Sequence, residues 1–162
     1  MEELKTELSN RGFEPHTLGP GSSYDYDAPL VGIRRILAHC CGLVSIAFRR
    51  THVESATKHL GADIEDRSEE ASSNVWFTSP YCQIEPAMAF QLGLPILILR
   101  EKGVLAEGVL EKGITGLYLP EFSLEAPSSF ISGAECNGLL EQWSGYVRTV
   151  HKKRGDPPTL YT

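Results

Sequence analysis

The sequence predicts an α/β fold, with helices alternating with strands that pair in a mostly parallel sheet. Three observations carry this expectation. Pro95-Ile96-Leu97-Ile98-Leu99 is apolar without alternation, as a strand covered on both faces must be. Leu43-Val44-Ser45-Ile46-Ala47-Phe48 reads as a second strand of similar character. Between and around such runs lie stretches whose apolar residues recur at helical spacing.

The first helix is expected over Glu2–Arg11, with Leu4 and Leu8 on one face and Gly12 closing it. Phe13–Leu18 reads as a short strand, weakened by Pro15 and so placed near a sheet edge. Gly19–Ala28 is a loop long enough to be functional, and Tyr24-Asp25-Tyr26-Asp27 concentrates two acids and two aromatics in it. Asp27 suits the N-cap of the next helix and Pro29 its first turn, whereas Asp25 has no such structural duty. That helix, Pro29–Cys41, carries Ile33, Ile36, Leu37 and Cys40 on its apolar side and ends at Gly42. After the Leu43–Phe48 strand, Arg49-Arg50 stands where a guanidinium can meet a phosphate or carboxylate, or simply solubilise the edge.

Residues 51–74 are polar and poorly periodic, the composition of an acidic flap. The central unit runs from Val75 to Arg100. Val75-Trp76-Phe77-Thr78 suits a strand, and Ser79-Pro80 stops it, proline fitting the first turn of a helix. A helix follows with Ile84, Met88 and Leu92 in phase, and Pro86 sets its first turn near Glu85. Gly93 ends it and Pro95 forbids continuation. Glu101–Lys112 is a loop with a short helix, Gly116–Leu119 a last strand ended by Pro120, and Glu121–Gly133 a connection. The closing helix, about Glu135–Lys153, has Leu139, Trp143, Tyr146 and Val150 as its docking stripe. One domain over residues 1–154 and a disordered tail over 155–162 complete the expectation. Flavodoxin-like strand order is the natural arrangement for these elements.

Composition narrows the function classes. The formal net charge of −6 over 162 residues argues against a general nucleic-acid-binding face. No apolar run reaches the ~20 residues of a membrane span, and no charged segment precedes an apolar leader. Cys40, Cys41, Cys82 and Cys136 show no CxxC pair and no zinc spacing, which suits buried thiols in a reducing, cytoplasmic setting. His52, His59, Asp63, Glu65 and Asp66 match no metal-ligand pattern, so no metal is expected.

Pro80-Tyr81-Cys82-Gln83-Ile84-Glu85 resembles the aromatic-Cys-x-x-Glu turn that opens a helix in Toll/interleukin-receptor (TIR) domains. Glu85 through Pro95 is similar to the E-x-x-x-A-x-x-x-G-x-P run of nucleoside 2-deoxyribosyltransferases. The resemblance covers about Trp76–Leu99. It implies a flavodoxin-like three-layer sandwich around a mostly parallel sheet, one that here lacks the usual first strand. It also implies cleavage of an N-glycosidic bond in NAD or a nucleoside, bound as substrate rather than cofactor. Glu85 takes the place of the families' catalytic glutamate. Where the deoxyribosyltransferases carry an aspartate pair and Gly-Thr, this chain has Thr78-Ser79-Pro80-Tyr81.

Breaking such a bond develops positive charge on the ribose, which a carboxylate beneath the sugar stabilises or attacks. Glu85 is assigned that role, with Asp25 as acid or hydroxyl-orienting group. Tyr24, Asp27, Arg49, Trp76, Ser79 and Tyr81 are the expected substrate contacts, the aromatics by stacking on the base. The role carries a setting in nucleotide signalling or antiphage defence. Two alternatives stand beside it: a nucleotide-sensing module without catalysis, and a protein-interaction domain of the TIR kind. A sheet with an unpaired central edge also makes a homo-oligomer attractive.

Overall fold

A computed structural model describes residues 2–17, 28–61, 63, 68–115, 119–125 and 127–153. Its elements follow in chain order as helix α1 (Glu2–Asn10), helix α2 (Pro29–His39), strands β1 (Leu43–Ala47), β2 (Thr51–Lys58) and β3 (Glu70–Phe77), helix α3 (Tyr81–Gln91), strand β4 (Ile96–Glu101), a 3-10 turn at Gly108–Leu110, strand β5 (Glu121–Phe122), and helices α4 (Pro127–Ile131) and α5 (Ala134–Lys152).

The expected parallel sheet is present. Strand β4 lies between β1 and β5 and runs parallel to both, with Leu43 opposite Ile96, Ala47 opposite Arg100, and Glu101 opposite Phe122. Every residue of β4 is buried, which is why its sequence shows no polar alternation. Its alternate side chains enter two cores. Leu97 and Leu99 join Leu4 and Leu8 of α1 and Cys136, Leu140, Trp143 and Val147 of α5. Ile96 and Ile98 join Ile33 and Leu37 of α2 and Ala89 of α3. Helices therefore cover the sheet on both faces.

Residues 51–77 do not form the flap expected for 51–74, and Val75–Phe77 does not join the parallel sheet. β2 and β3 pair antiparallel as a separate two-stranded arm, from Thr51 opposite Phe77 to Lys58 opposite Glu70. Most arm residues are exposed or half-buried, so neither face carries the apolar alternation that marks a strand. Asn74 adopts φ 53°, a left-handed conformation that a short polar side chain tolerates, at the one gap in the ladder. The arm joins the body at Trp76, whose carbonyl accepts the Leu105 N–H at 2.8 Å.

Several boundaries also differ from expectation. Phe13–Thr17 is irregular, because no strand pairs with it among the described residues. Helix α2 stops at His39 rather than at Gly42. Gly42 serves close packing instead: a Cβ there would lie 2.6 Å from Val147 Cγ2. Helix α3 starts at Tyr81, so Pro86 sits inside it and supplies no N–H to the Cys82 carbonyl. Its buried residues are Pro86 and Ala89, while Leu92 is exposed; Gly93 ends it at φ 69° as expected. Residues 116–118 of the expected last strand lie outside the described residues, and the strand that pairs with β4 begins after Pro120. The connection after it contains α4. Helix α5 buries Cys136, Leu140, Trp143, Ser144 and Val147, leaving Tyr146 of the expected stripe 47% exposed. The tail, residues 154–162, is outside the described residues. No helix among those described is long and apolar enough to cross a membrane.

Candidate active site around Glu85

The turn before α3 is built by its own backbone. The Cys82 N–H donates to the Ser79 carbonyl at 2.9 Å, and the Gln83 and Ile84 N–H groups donate to the Pro80 carbonyl at 3.0 and 3.1 Å. Proline in the first turn presets φ for this geometry. Gln83 then clamps the helix to the loop ahead of the 3-10 turn. Its Nε2 donates to the Glu107 carbonyl at 2.9 Å, and its Oε1 accepts the Val109 N–H at 3.0 Å. Cys82 faces the sheet, with its Sγ 3.5 Å from the Ile46 carbonyl and 3.5 Å from the Thr78 hydroxyl. Sequence reasoning named neither Gln83 nor Cys82 as a positioning residue. The signal available was their place in a turn that fixes the helix carrying Glu85.

Glu85, one turn further on, is half-buried and lines a cavity of about 690 Å³. Burial withholds water from its carboxyl and raises its pKa above the usual carboxylate value. Among the described residues no hydrogen bond or ion pair reaches that carboxyl. The cavity wall mixes apolar residues, among them Ile33 and Leu37 of α2 and Leu43 of β1, with polar and charged ones such as Ser45, Glu14 and Arg148. Its volume falls in the range of small-molecule sites, which span ~300–1,000 Å³.

The other expected site residues are not gathered there. Arg49, at the C-terminal end of β1, is bound to the end of β4. Its N–H donates to Glu101 Oε2 at 2.7 Å, and its guanidinium donates to the Lys102 carbonyl from Nε at 2.8 Å and from Nη2. The same guanidinium lies 5.7 Å from the Trp76 ring centroid, and the His52 ring meets Trp76 at 4.5 Å. Arg49, His52 and Trp76 thus form a stack at the base of the arm, and neither Arg49 nor Trp76 lines the cavity. Ser79 lies in the turn before α3 and Tyr81 is its first residue, with the Tyr81 N–H facing Ser79 Oγ at 3.4 Å, and they too lie off the cavity wall. Tyr24, Asp25 and Asp27 lie outside the described residues. Among the described residues, no three His, Cys, Asp or Glu side chains are grouped to hold a metal ion. All four cysteines are free thiols.

Compared with family models, with curated proteins and with solved structures, the chain matches none.

Proposed function

We propose that this chain is a flavodoxin-like domain that cleaves an N-glycosidic bond in NAD or a nucleoside, with Glu85 as the carboxylate beneath the ribose. The observation that carries the reading is Glu85 itself: a half-buried acid in the wall of a cavity of small-molecule size. Desolvation makes its ionised form costly in the empty site. A ligand that brings positive charge close to the carboxyl offsets that cost, so the geometry favours a cationic glycoside over a neutral one. NAD is such a substrate. As its C1′–N bond breaks, the bonding pair moves to the nicotinamide nitrogen and neutralises the ring, while the charge moves to the ribose. The Glu85 carboxylate stabilises that charge or bonds to C1′, and water then completes hydrolysis to nicotinamide and ADP-ribose with release of one proton.

A second reading is a nucleotide-sensing module of the same fold. It is favoured by one observation: Glu85 lacks a polar partner to orient it among the described residues.

Chromatography of NAD and a nucleoside panel, incubated with wild type and with Glu85→Gln, tests the proposal. Release of nicotinamide or base by wild type, slowed at least ~100-fold in the variant, supports catalysis at Glu85. Thermal stabilisation by one of these compounds without release establishes the sensing reading instead.

A further inference from the structure

The cavity beside Glu85 continues along the free edge of β1. Its wall includes Val44 and Ile46, which point to the α1/α5 side of the sheet, and Leu43 and Ser45, which point to the α2/α3 side. A space lined by both faces of one strand lies at that strand's edge, not over either face. In the sheet, β1 pairs with β4 on one edge and with no described strand on the other. Helices of both layers flank the space, through Leu4 and Leu8 on one side and Ile33 and Leu37 on the other. The irregular Phe13–Thr17 bounds it as well. An unpaired edge usually lies open to water; among the described residues this edge has no partner strand and forms the floor of a trough.

We propose that this trough is a docking site for an extended peptide segment of a second polypeptide, which pairs with β1 and continues the β5–β4–β1 sheet. The chemistry of the occupant follows from the walls. Of the β1 groups that face away from β4, the Ile46 carbonyl meets Cys82 Sγ at 3.5 Å, and the others find no backbone partner among the described residues; an extended peptide supplies such partners and a compact ligand does not. Apolar side chains above and below require apolar residues on both faces of the peptide. At the N-terminal end of β1 the trough carries Arg148 and His151, the latter 3.8 Å from Cys41 Sγ, so an acidic residue suits the end of the peptide lying there. The inference is independent of the chemistry assigned to Glu85.

The test uses the full chain and the peptide acetyl-Asp-Val-Ile-Val-Ile-Asp-amide, whose two acids allow either direction and whose length spans about 20 Å when extended. Its control carries N-methyl groups on the first isoleucine and on the valine after it, so that in either register one ladder N–H is removed. Binding is followed by fluorescence anisotropy of a labelled copy, and β1 by amide hydrogen exchange. The proposal expects saturable binding and slowing of exchange at Val44 and Ile46 by about tenfold or more. It also expects binding about tenfold weaker for the N-methylated control and for Ile36→Trp, which fills the trough. No binding, or equal binding of the N-methylated control, overturns the proposal. If deletion of residues 154–162 is needed before the peptide binds, this chain's own tail is the occupant and a second polypeptide is not. A concentration-dependent dimer that the peptide dissolves identifies a second copy as occupant and likewise overturns the heterologous assignment.

Discussion

Trp143 Nε1 donates to the Pro95 carbonyl at 3.1 Å, and the Leu43 N–H donates to the same oxygen at 2.9 Å. One acceptor thereby joins α5 to the starts of the two parallel strands β1 and β4. The Phe13 ring packs edge-on against Trp143 with centroids 5.5 Å apart, so the segment after α1 is held at the same end. Trp143 is 6% exposed. Trp143→Phe removes the bond and part of the ring, and is expected to cost about 1–3 kcal/mol; Trp143→Ala should cost about 3–5 kcal/mol. Urea unfolding checks both values. Equal midpoints for wild type and the alanine variant would contradict the assigned role.

Glu85 gives a pH-dependent prediction. Its folded-state pKa is raised by burial, so folding favours the protonated form. The stability this group contributes is fully present below its unfolded pKa, about 4.3. It is lost as pH rises through the folded value. Glu85→Gln keeps a neutral group at every pH. The variant should therefore melt at a higher temperature than wild type near neutrality, and the gap should close as pH falls below the unfolded value. Melting curves across that window decide the matter, since a gap that widens on acidification has the wrong sign.

Glu101, buried at the end of β4, accepts the Arg49 backbone N–H, and Arg49 in turn caps the Lys102 carbonyl and stacks on Trp76. Glu101→Ala leaves that N–H without its acceptor and should cost about 1–3 kcal/mol. Glu101→Gln keeps an acceptor and should cost less. Hydrogen exchange in β2 and β3 is the added readout, because loosening Arg49 also loosens the base of the arm. Protection there that is unchanged in Glu101→Ala would separate the arm from this contact.

Gln83 and Gly108 are coupled. A Cβ on Gly108 would stand 2.7 Å from Gln83 Oε1, and Gly108 has φ 58°, which an L side chain adopts with strain. Gly108→Ala should destabilise by about 1–3 kcal/mol. Part of that cost comes from displacing Gln83, so the double variant Gln83→Ala/Gly108→Ala should be less destabilised than the two single changes added together. A double-mutant cycle with a coupling energy of zero would refute the contact.

The parallel sheet was legible because its strands are buried on both faces. Ile96–Leu99 cannot show alternation when each face meets a helix. The α5 stripe was half legible: Trp143 belongs both to the expected stripe and to the observed one, but the remainder runs through Leu140 and Val147 rather than Tyr146 and Val150. Small residues such as Ser144 and Cys136 sit on the buried face, and apolar periodicity gives them little weight. The arm escaped notice because Thr51–Lys58 and Glu70–Phe77 have no consistently buried face. Pro86 misled in the other direction: a proline marks a helix start by preference, yet the turn at Ser79–Pro80 had already started α3. Glu85 was singled out by a local resemblance, whereas the cavity it lines is made by α1, α2, β1, α3 and α5 together and no local pattern foretells it. The ties that hold Arg49 to Glu101 and Lys102 are long-range for the same reason.

The central claim is cleavage of an N-glycosidic bond over Glu85. Its most direct measurement is proton NMR of NAD over time with wild type and with Glu85→Gln, following the nicotinamide-side C1′ proton. The account predicts loss of that signal and growth of free nicotinamide with wild type only. Cleavage at the same rate in Glu85→Gln would remove the carboxylate from the mechanism, and an unchanged NAD spectrum with wild type would contradict NAD cleavage itself.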